Sequence, residues 1–441
     1  MTITEIKKKR IGFISLGCDK NRVDLEKMIF NLKSFGFAIE NNPENAEIII
    51  VNTCAFLESA RAEAIENIIE MAEYKNSAKL EKLIVTGCIN ELGYSDLKES
   101  LPEVDDFVNI KDNEQIVNRI CKLYNVNSQY HNLNDRVLTT PNHYAYIKIS
   151  EGCNNFCSYC LIPYIRGRYK STPIEDIILE ANYLAQKGVK ELILVAQDVT
   201  KYGIDLYGKK RLVDLIRELS KIEQISWIRL MYCYPEEIDD DLIAEIANNP
   251  KVMKYMDIPL QHVSTNILKM MNRRSDYNSI CTLFRKIKNQ IPNIIIRTTF
   301  ILGFPGETEE DINILHNFLE EFKLYNVGFF KYSREEGTRS FNFDNQVDEK
   351  EKQLRLDKLS QVQFEIMNNL NTEFIGNVFD VIIDEAYTDY SIGRFYGQAP
   401  QIDSIIYINE KLDIGKIYKI KITNKSDYDL EGEKLWIFQI R

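Results

Sequence analysis

No run in this chain approaches the ~20 uninterrupted apolar residues that a membrane span requires, although 44% of its 441 residues are hydrophobic. Met1 to Arg10 is polar and basic, with no apolar stretch behind it long enough for a signal peptide, so none is expected. Solenoid repeats and low-complexity tracts are also missing. Positive charge is in deficit, with 55 Lys+Arg against 66 Asp+Glu and a net charge of -11. That balance disfavours a broad nucleic-acid surface, although a local basic patch remains open. The loop Gly303–Thr308 lacks the Gly-Lys-Ser/Thr ending that cradles a nucleotide phosphate. These absences leave a cytoplasmic chain with no membrane partner as the expectation. In a reducing compartment its 9 cysteines are poor candidates for disulfides, so metal binding or packing must account for them.

The length suits about three domains at ~150 residues each. In the first third, the apolar runs Ile11–Leu16, Ile48–Val51 and Leu83–Val85 read as buried parallel strands, with helical stretches such as Ser59–Tyr74 between them. Each run leads into a small or polar residue and then a cysteine: Gly17-Cys18, Thr53-Cys54 and Gly87-Cys88. Ligands collect outside the carboxyl ends of open parallel sheets, so three thiols are expected along one sheet edge. Asn125–Asn142 reads as a polar linker. Beyond it, six strands are expected: Tyr144–Ile149, Glu191–Ala196, Trp227–Met231, Tyr255–Ile258, Ile294–Phe300 and Val327–Tyr332. They alternate with amphipathic helices such as Ile174–Lys187, Val213–Ile222 and Glu309–Phe322. This is the pattern of a partial (β/α) barrel, with its chemistry at the carboxyl ends of the strands. A long charged helix, Glu349–Asn371, leads to five short alternating runs: Val378–Asp384, Ile392–Tyr396, Ser404–Ile408, Lys416–Ile422 and Leu435–Ile440. They suggest a small antiparallel barrel. The fold class is therefore α/β: an open parallel α/β domain over 9–125, a partial barrel over 139–371 and a small β-barrel over 373–441.

The strongest chemical signal is Cys153-Asn-Asn-Phe-Cys157-Ser-Tyr-Cys160, just after an expected strand. Three thiolates on a four-iron cube leave one iron open, and an open metal position is what binds and activates a ligand. Spacing alone also admits structural zinc, which needs a fourth ligand. The nearest preceding histidine, His143, lies outside the usual finger spacing.

With Tyr159 just before the last cysteine, this segment resembles the radical S-adenosylmethionine superfamily. Further motifs resemble its methylthiotransferase family. They are Gly17-Cys18-Asp19-Lys20-Asn21 with Val23-Asp24 and Glu26, Val51–Cys54, Val85–Cys88, Glu151–Cys153, Ile165–Tyr169 and Gly303–Thr308. The last barrel resembles the TRAM domain of that family. The resemblance implies a [4Fe-4S] cluster on Cys153, Cys157 and Cys160 whose open iron chelates S-adenosyl-L-methionine. Reductive cleavage there releases a 5′-deoxyadenosyl radical, with Tyr159 against the adenine. It further implies a second [4Fe-4S] cluster on Cys18, Cys54 and Cys88, in agreement with the strand-end convergence. Each of these three taken alone would read as an ordinary buried cysteine. Cys121, Cys233 and Cys281 are assigned to packing. Asp19 and Leu25 depart from the proline and serine usual in the family.

Gln197 and Gln261 follow expected strands and should face the barrel mouth, where they would contact the cofactor. Arg229 reads either as a clamp on the cofactor carboxylate or as an inner-barrel ion-pair partner. Gly303 reads as a cofactor contact or as a plain strand-to-helix turn. His262 is open between a structural and a site role. The charged face of Glu349–Lys358 reads as a solvated helix surface.

Two branches of the family share these clusters. One modifies tRNA adenosines, the other an aspartate on a small-subunit ribosomal protein. Gly17-Cys18-x-Lys20-Asn21-x-Val23-Asp24 resembles the protein-modifying branch. The terminal segment from Glu373 to Arg441 holds 12 acidic and 8 basic residues, a net of -4. An RNA-binding barrel should be basic, whereas an acidic one suits a basic ribosomal protein, either free or in the ribosome. The resemblance implies a low-potential donor such as flavodoxin or ferredoxin. Breaking an unactivated C–H bond explains the need for a radical cofactor.

Overall fold

A computed structural model describes residues 2–92 and 97–435. The first third forms a sheet of five parallel strands: β1 (Arg10–Ser15), β2 (Ala38–Glu40), β3 (Ile48–Thr53), β4 (Lys82–Gly87) and β5 (Asp106–Val108), in the order β2-β1-β3-β4-β5. All six residues of β3 are buried, as a central parallel strand covered on both faces requires. The two edge strands were not expected. Each has three residues and no unbroken apolar run. The helix Asp19–Phe35 follows β1 directly, and the helix Glu58–Ser77 follows β3.

The expected linker is a strap. It forms no helix or strand after Leu123, yet Arg136 is buried and makes ion pairs with Glu26 at 3.2 Å and Glu180 at 3.2 Å.

The middle of the chain begins with β6 (Tyr144–Lys148) and a two-residue antiparallel pair, β7 (Ser150–Glu151) and β8 (Lys170–Ser171). The parallel sheet is completed by β9 (Glu191–Val195), β10 (Trp227–Leu230), β11 (Val252–Asp257), β12 (Ile295–Leu302) and β13 (Asn326–Lys331). Its order is β13-β12-β11-β10-β9-β6, an open six-stranded arc. Residues alternate between its faces. Ala145, Ile147, Leu192, Leu194, Ile228 and Leu230 pack against the outer helices. The helix Glu309–Phe322 starts at a Thr308–Asp311 capping box, which satisfies N–H groups left open in its first turn.

The opposite face of the arc meets the C-terminal unit. Tyr144, Tyr146, Ile193, Val195, Trp227 and Tyr255 share a core with Val381, Ile382, Ile383 and Phe395. That unit is a closed barrel in the order β14-β15-β16-β18-β17. Its strands are β14 (Val378–Ala386), β15 (Ser391–Phe395), β16 (Ile406–Ile408), β17 (Ile417–Ser426) and β18 (Asp429–Lys434). Its neighbours are antiparallel except β16 and β18, which pair in parallel. The fifth strand is Asp429–Lys434; nearly all of the expected run Leu435–Ile440 lies outside the described residues. A 26-residue helix, Glu349–Phe374, runs from the arc into this barrel.

A buried ion network fastens the two. Glu191 binds Arg229 at 2.7 Å and Arg394 at 2.9 Å, and Asp384 binds His143 at 2.7 Å and Arg394. Arg229 thus sits under the arc, where it also donates to the Tyr396 carbonyl at 2.7 Å. Among the described residues no helix is long and apolar enough to cross a membrane.

Candidate functional site

The carboxyl ends of the two parallel sheets face each other across a cleft of about 370 Å³. Cys18, Cys54 and Cys88 line one wall, and Cys153, Cys157 and Cys160 line the other. The first three follow β1, β3 and β4 because the strands are in register and each ends where its apolar run ends. Gly17 and Gly87 take positive φ values of 100° and 94°, which turn the chain sharply ahead of Cys18 and Cys88. A side chain at 17 would stand 3.0 Å from the Cys54 Cβ, and one at 87 would meet the Thr53 carbonyl at 2.4 Å. Asn21 stitches these turns together by donating to the Thr53 carbonyl at 2.9 Å and the Leu16 carbonyl at 3.2 Å.

The second cysteine loop leaves β7 through Gly152, with φ of 74°. The Cys153 N–H donates to the Gly167 carbonyl at 3.1 Å, and the Asn155 N–H donates to the Cys153 sulfur at 3.4 Å. Asn155 is itself held by Asp198 at 3.0 Å. The Tyr234 hydroxyl lies 3.0 Å from the Cys157 sulfur. Ser158 anchors the loop to the Met271 and Met270 carbonyls.

Burial pushes the Cys88 and Cys153 thiols up to about 11 and raises Cys54 and Cys160 as well. These groups carry protons at neutral pH until a metal displaces them. Among the described residues no three His, Cys, Asp or Glu side chains converge tightly enough for a single metal ion. A four-iron cube asks less, since each thiolate binds a different iron and the three stand apart. Two triads of soft thiols, each at glycine-hinged turns on an open cleft, fit such cubes.

Buried charges join the two walls. Arg166 reaches Asp24 at 3.1 Å and Glu151 at 2.9 Å, donates to Asn21, and lies 3.8 Å from the Cys88 sulfur. Lys148 binds Glu151 at 2.7 Å and also Asp24. Burial alone would raise the Glu151 carboxyl, but Lys148 and Arg166 bring it down to about 2.

Tyr159, Gln197 and Gln261 line the cleft. The Gln197 amide donates to Glu151 at 3.1 Å and leaves its buried Oε1 without a partner. Gln261, with φ of 69°, is bridged to β12 and aimed by that strained turn. For Arg229 and Gly303 the cofactor-contact reading needs correction, and the second reading given for each, ion pair and turn, fits. Arg229 is fully buried against Glu191 and the terminal barrel, because it points from mid-strand to the arc's concave face and not from a strand end. Gly303 is not a cleft residue: its N–H donates to Glu307 at 2.8 Å, and any side chain there would strike Lys352. His262 is structural, with Nδ1 accepting from the Ser264 N–H at 2.9 Å and Nε2 3.5 Å from Glu307. Cys121, Cys233 and Cys281 are buried in cores. Lys20, Tyr232, Tyr234, Asp257, Arg273 and Arg297 also line the cleft and were not singled out. For Lys20 the one available signal was its place beside Cys18 in a recognisable motif.

A partial parallel barrel with a C-x₃-C-x₂-C loop at its mouth defines the class: a radical S-adenosylmethionine enzyme. The radical SAM superfamily matches residues 147–319, the family described as Uncharacterized protein family UPF0004 matches 10–109, and the TRAM domain matches 375–435. "Ribosomal protein uS12 methylthiotransferase RimO" of Clostridium botulinum (strain Eklund 17B / Type B) is 48% identical over 437 residues, covering 96% of this chain and 98% of that protein. The protein of the same name from Clostridium kluyveri is 47% identical over 96% of this chain and 98% of its own length. The chain belongs to this RimO family of methylthiotransferases. Among solved structures, the radical S-adenosylmethionine methyltransferase TsrM from Kitasatospora setae superposes with a TM-score of 0.55 at 13% identity, over 74% of this chain and 75% of that one. The radical enzyme OxsB superposes at 0.52 over 83% and 57%. Both likenesses concern the fold.

Proposed function

We propose that this protein attaches a methylthio group to the β-carbon of an aspartate in ribosomal protein uS12, in the cytoplasm, free or within the ribosome. The observation that carries this reading is that both cysteine triads open on one cleft. A C–H-activating centre and a sulfur-handling centre must reach the same substrate carbon, and a shared chamber lets them. The names of the relatives and the acidic terminal barrel support a protein substrate over tRNA.

In this reading Cys153, Cys157 and Cys160 hold the cluster that binds S-adenosyl-L-methionine, and Cys18, Cys54 and Cys88 hold a second [4Fe-4S] cluster. When bound, these groups supply the hydrogen-abstracting radical, the methyl group and the sulfur. The chain itself positions and shields. Tyr159, Gln197 and Gln261, which line the cleft, bind S-adenosyl-L-methionine in this reading, with the unpaired Gln197 Oε1 free to accept a hydrogen bond. Tyr234 steadies Cys157, and Arg166 puts a fixed positive charge beside Cys88. The domains follow 9–125, 139–371 and 373–441, and a flavodoxin or ferredoxin supplies electrons.

The test is an anaerobic assay of the reconstituted full chain with S-adenosyl-L-methionine and reductant, offered the aspartate loop peptide of uS12 or unmodified tRNA. A methylthio mass gain on the peptide together with 5′-deoxyadenosine is expected. A gain on tRNA alone would overturn the reading.

A further inference from the structure

Four cationic side chains line the cleft: Lys20, Arg166, Arg273 and Arg297. Three are already neutralised. Arg166 has Asp24 and Glu151; Arg297 has Asp257 at 3.0 Å and Asp403 at 3.4 Å. Arg273 lies on the Tyr234 ring at 4.0 Å, donates to the Pro259 carbonyl at 2.9 Å and stands 3.8 Å from Glu236. Lys20 differs. It is 7% exposed, yet it has no carboxylate ion-pair partner among the described residues. Its ammonium rests 3.5 Å from the centre of the Tyr232 ring, and the Tyr232 side chain, Cys18 and the preceding Asp19 act on it without a carboxylate ion pair.

A buried charge without a counter-charge is costly. A ring face returns part of that cost. The platform is itself held in place. Tyr232 takes a φ of 61°, rare for a residue with a side chain, and its N–H donates to Asp257 at 2.9 Å. The structure therefore keeps a cation with no ion-paired carboxylate at the cleft by means of a strained, hydrogen-bonded turn on the opposite wall. Such an arrangement suits a site that receives its anion from outside.

We infer that Lys20 is the specificity-determining residue that receives the side-chain carboxylate of the substrate aspartate. The inference rests on the proposed aspartate substrate. Holding that carboxylate fixes the neighbouring β-carbon and rejects the isosteric amide, because an asparagine would leave the buried ammonium uncompensated. A charge-assisted hydrogen bond of this type corresponds to roughly a tenfold or greater preference.

Equilibrium binding of the uS12 loop peptide to the reconstituted full chain tests this, with the target aspartate present or replaced by asparagine. The intact chain is expected to bind the aspartate peptide at least about tenfold more tightly. Lys20→Met should abolish the gap and Lys20→Arg should keep most of it, with iron content and electron paramagnetic resonance spectra unchanged in both. An intact chain that treats the two peptides alike, or binds neither, overturns the inference, as does a Lys20→Met chain that still discriminates. Altered cluster spectra with discrimination intact would also overturn it, by showing that Lys20 serves the metal site. Failure of the functional reading looks different: the intact chain would bind selectively and yet add no methylthio mass.

Discussion

At the scale of single residues, the proposed function requires separable roles for the two cysteine triads. Cys157→Ala should lose about half the iron of the reconstituted protein and all 5′-deoxyadenosine formation. Cys88→Ala should lose a similar share of iron, continue to make 5′-deoxyadenosine and add no methylthio group. Iron analysis and mass spectrometry on the same samples check both, and loss of all iron in either variant would contradict two separate sites. Cys153, Cys157 and Cys160 could be picked out because their spacing is local, and Cys18, Cys54 and Cys88 because each follows the end of an apolar run. The direction of a side chain cannot be picked out in this way. Arg229 left two readings open, cofactor clamp or inner-barrel ion pair; alternation within β10 decides for the second by aiming it at the concave face, where Glu191 waits. Lys20 was quoted within the first cysteine motif but given no role of its own, for a related reason. Its proposed role comes from Tyr232, more than two hundred residues away, and from the lack of an ion-paired carboxylate among the described residues.

At the scale of elements, the turns before the cysteines matter more than the strands that feed them. Gly152→Ala puts a Cβ 2.3 Å from the Arg168 carbonyl, in a conformation that costs a non-glycine residue about 1–2 kcal/mol before any clash. The expected result is a chain with unchanged circular dichroism that binds about half the normal iron and makes no 5′-deoxyadenosine. Retention of full iron would mean that the loop tolerates the shift. The central strands were readable because burial on both faces leaves an unbroken apolar run, as Ile48–Val51 shows. Ala38–Glu40 and Asp106–Val108 were not, since a three-residue edge strand carries no period. Asp429–Lys434 has no apolar run to mark it, and its assignment depends on pairing with β17.

At the scale of the whole molecule, the terminal barrel is fastened through Glu191, Arg229, Arg394 and Asp384. Burial by itself raises the Glu191 and Asp384 carboxyls, and the neighbouring guanidiniums more than reverse it, leaving both below their ordinary range. With a depressed pKa in the folded chain, the unfolded chain takes up protons first as pH falls. The stabilisation is therefore complete above about pH 4 to 5 and is lost through the range below it. Thermal unfolding followed from pH 7 to pH 3 should show that loss, with a shallower slope in Glu191→Gln. The substitution leaves two guanidiniums uncompensated, so it should also cost about 3–5 kcal/mol at neutral pH. A pH-independent melting curve would remove the network from the account of how the barrel is held.

The cleft takes one wall from residues 18–88 and the other from residues beyond 150. A chain made from its amino end finishes the first wall well before Arg166 and the second wall exist. At roughly 5–20 residues per second, that interval is on the order of ten seconds. During it, Cys18, Cys54 and Cys88 emerge as three neighbouring thiols with no opposite wall and no guanidinium beside them. An oxidant would therefore find these three thiols more open during synthesis than after the second wall has joined them.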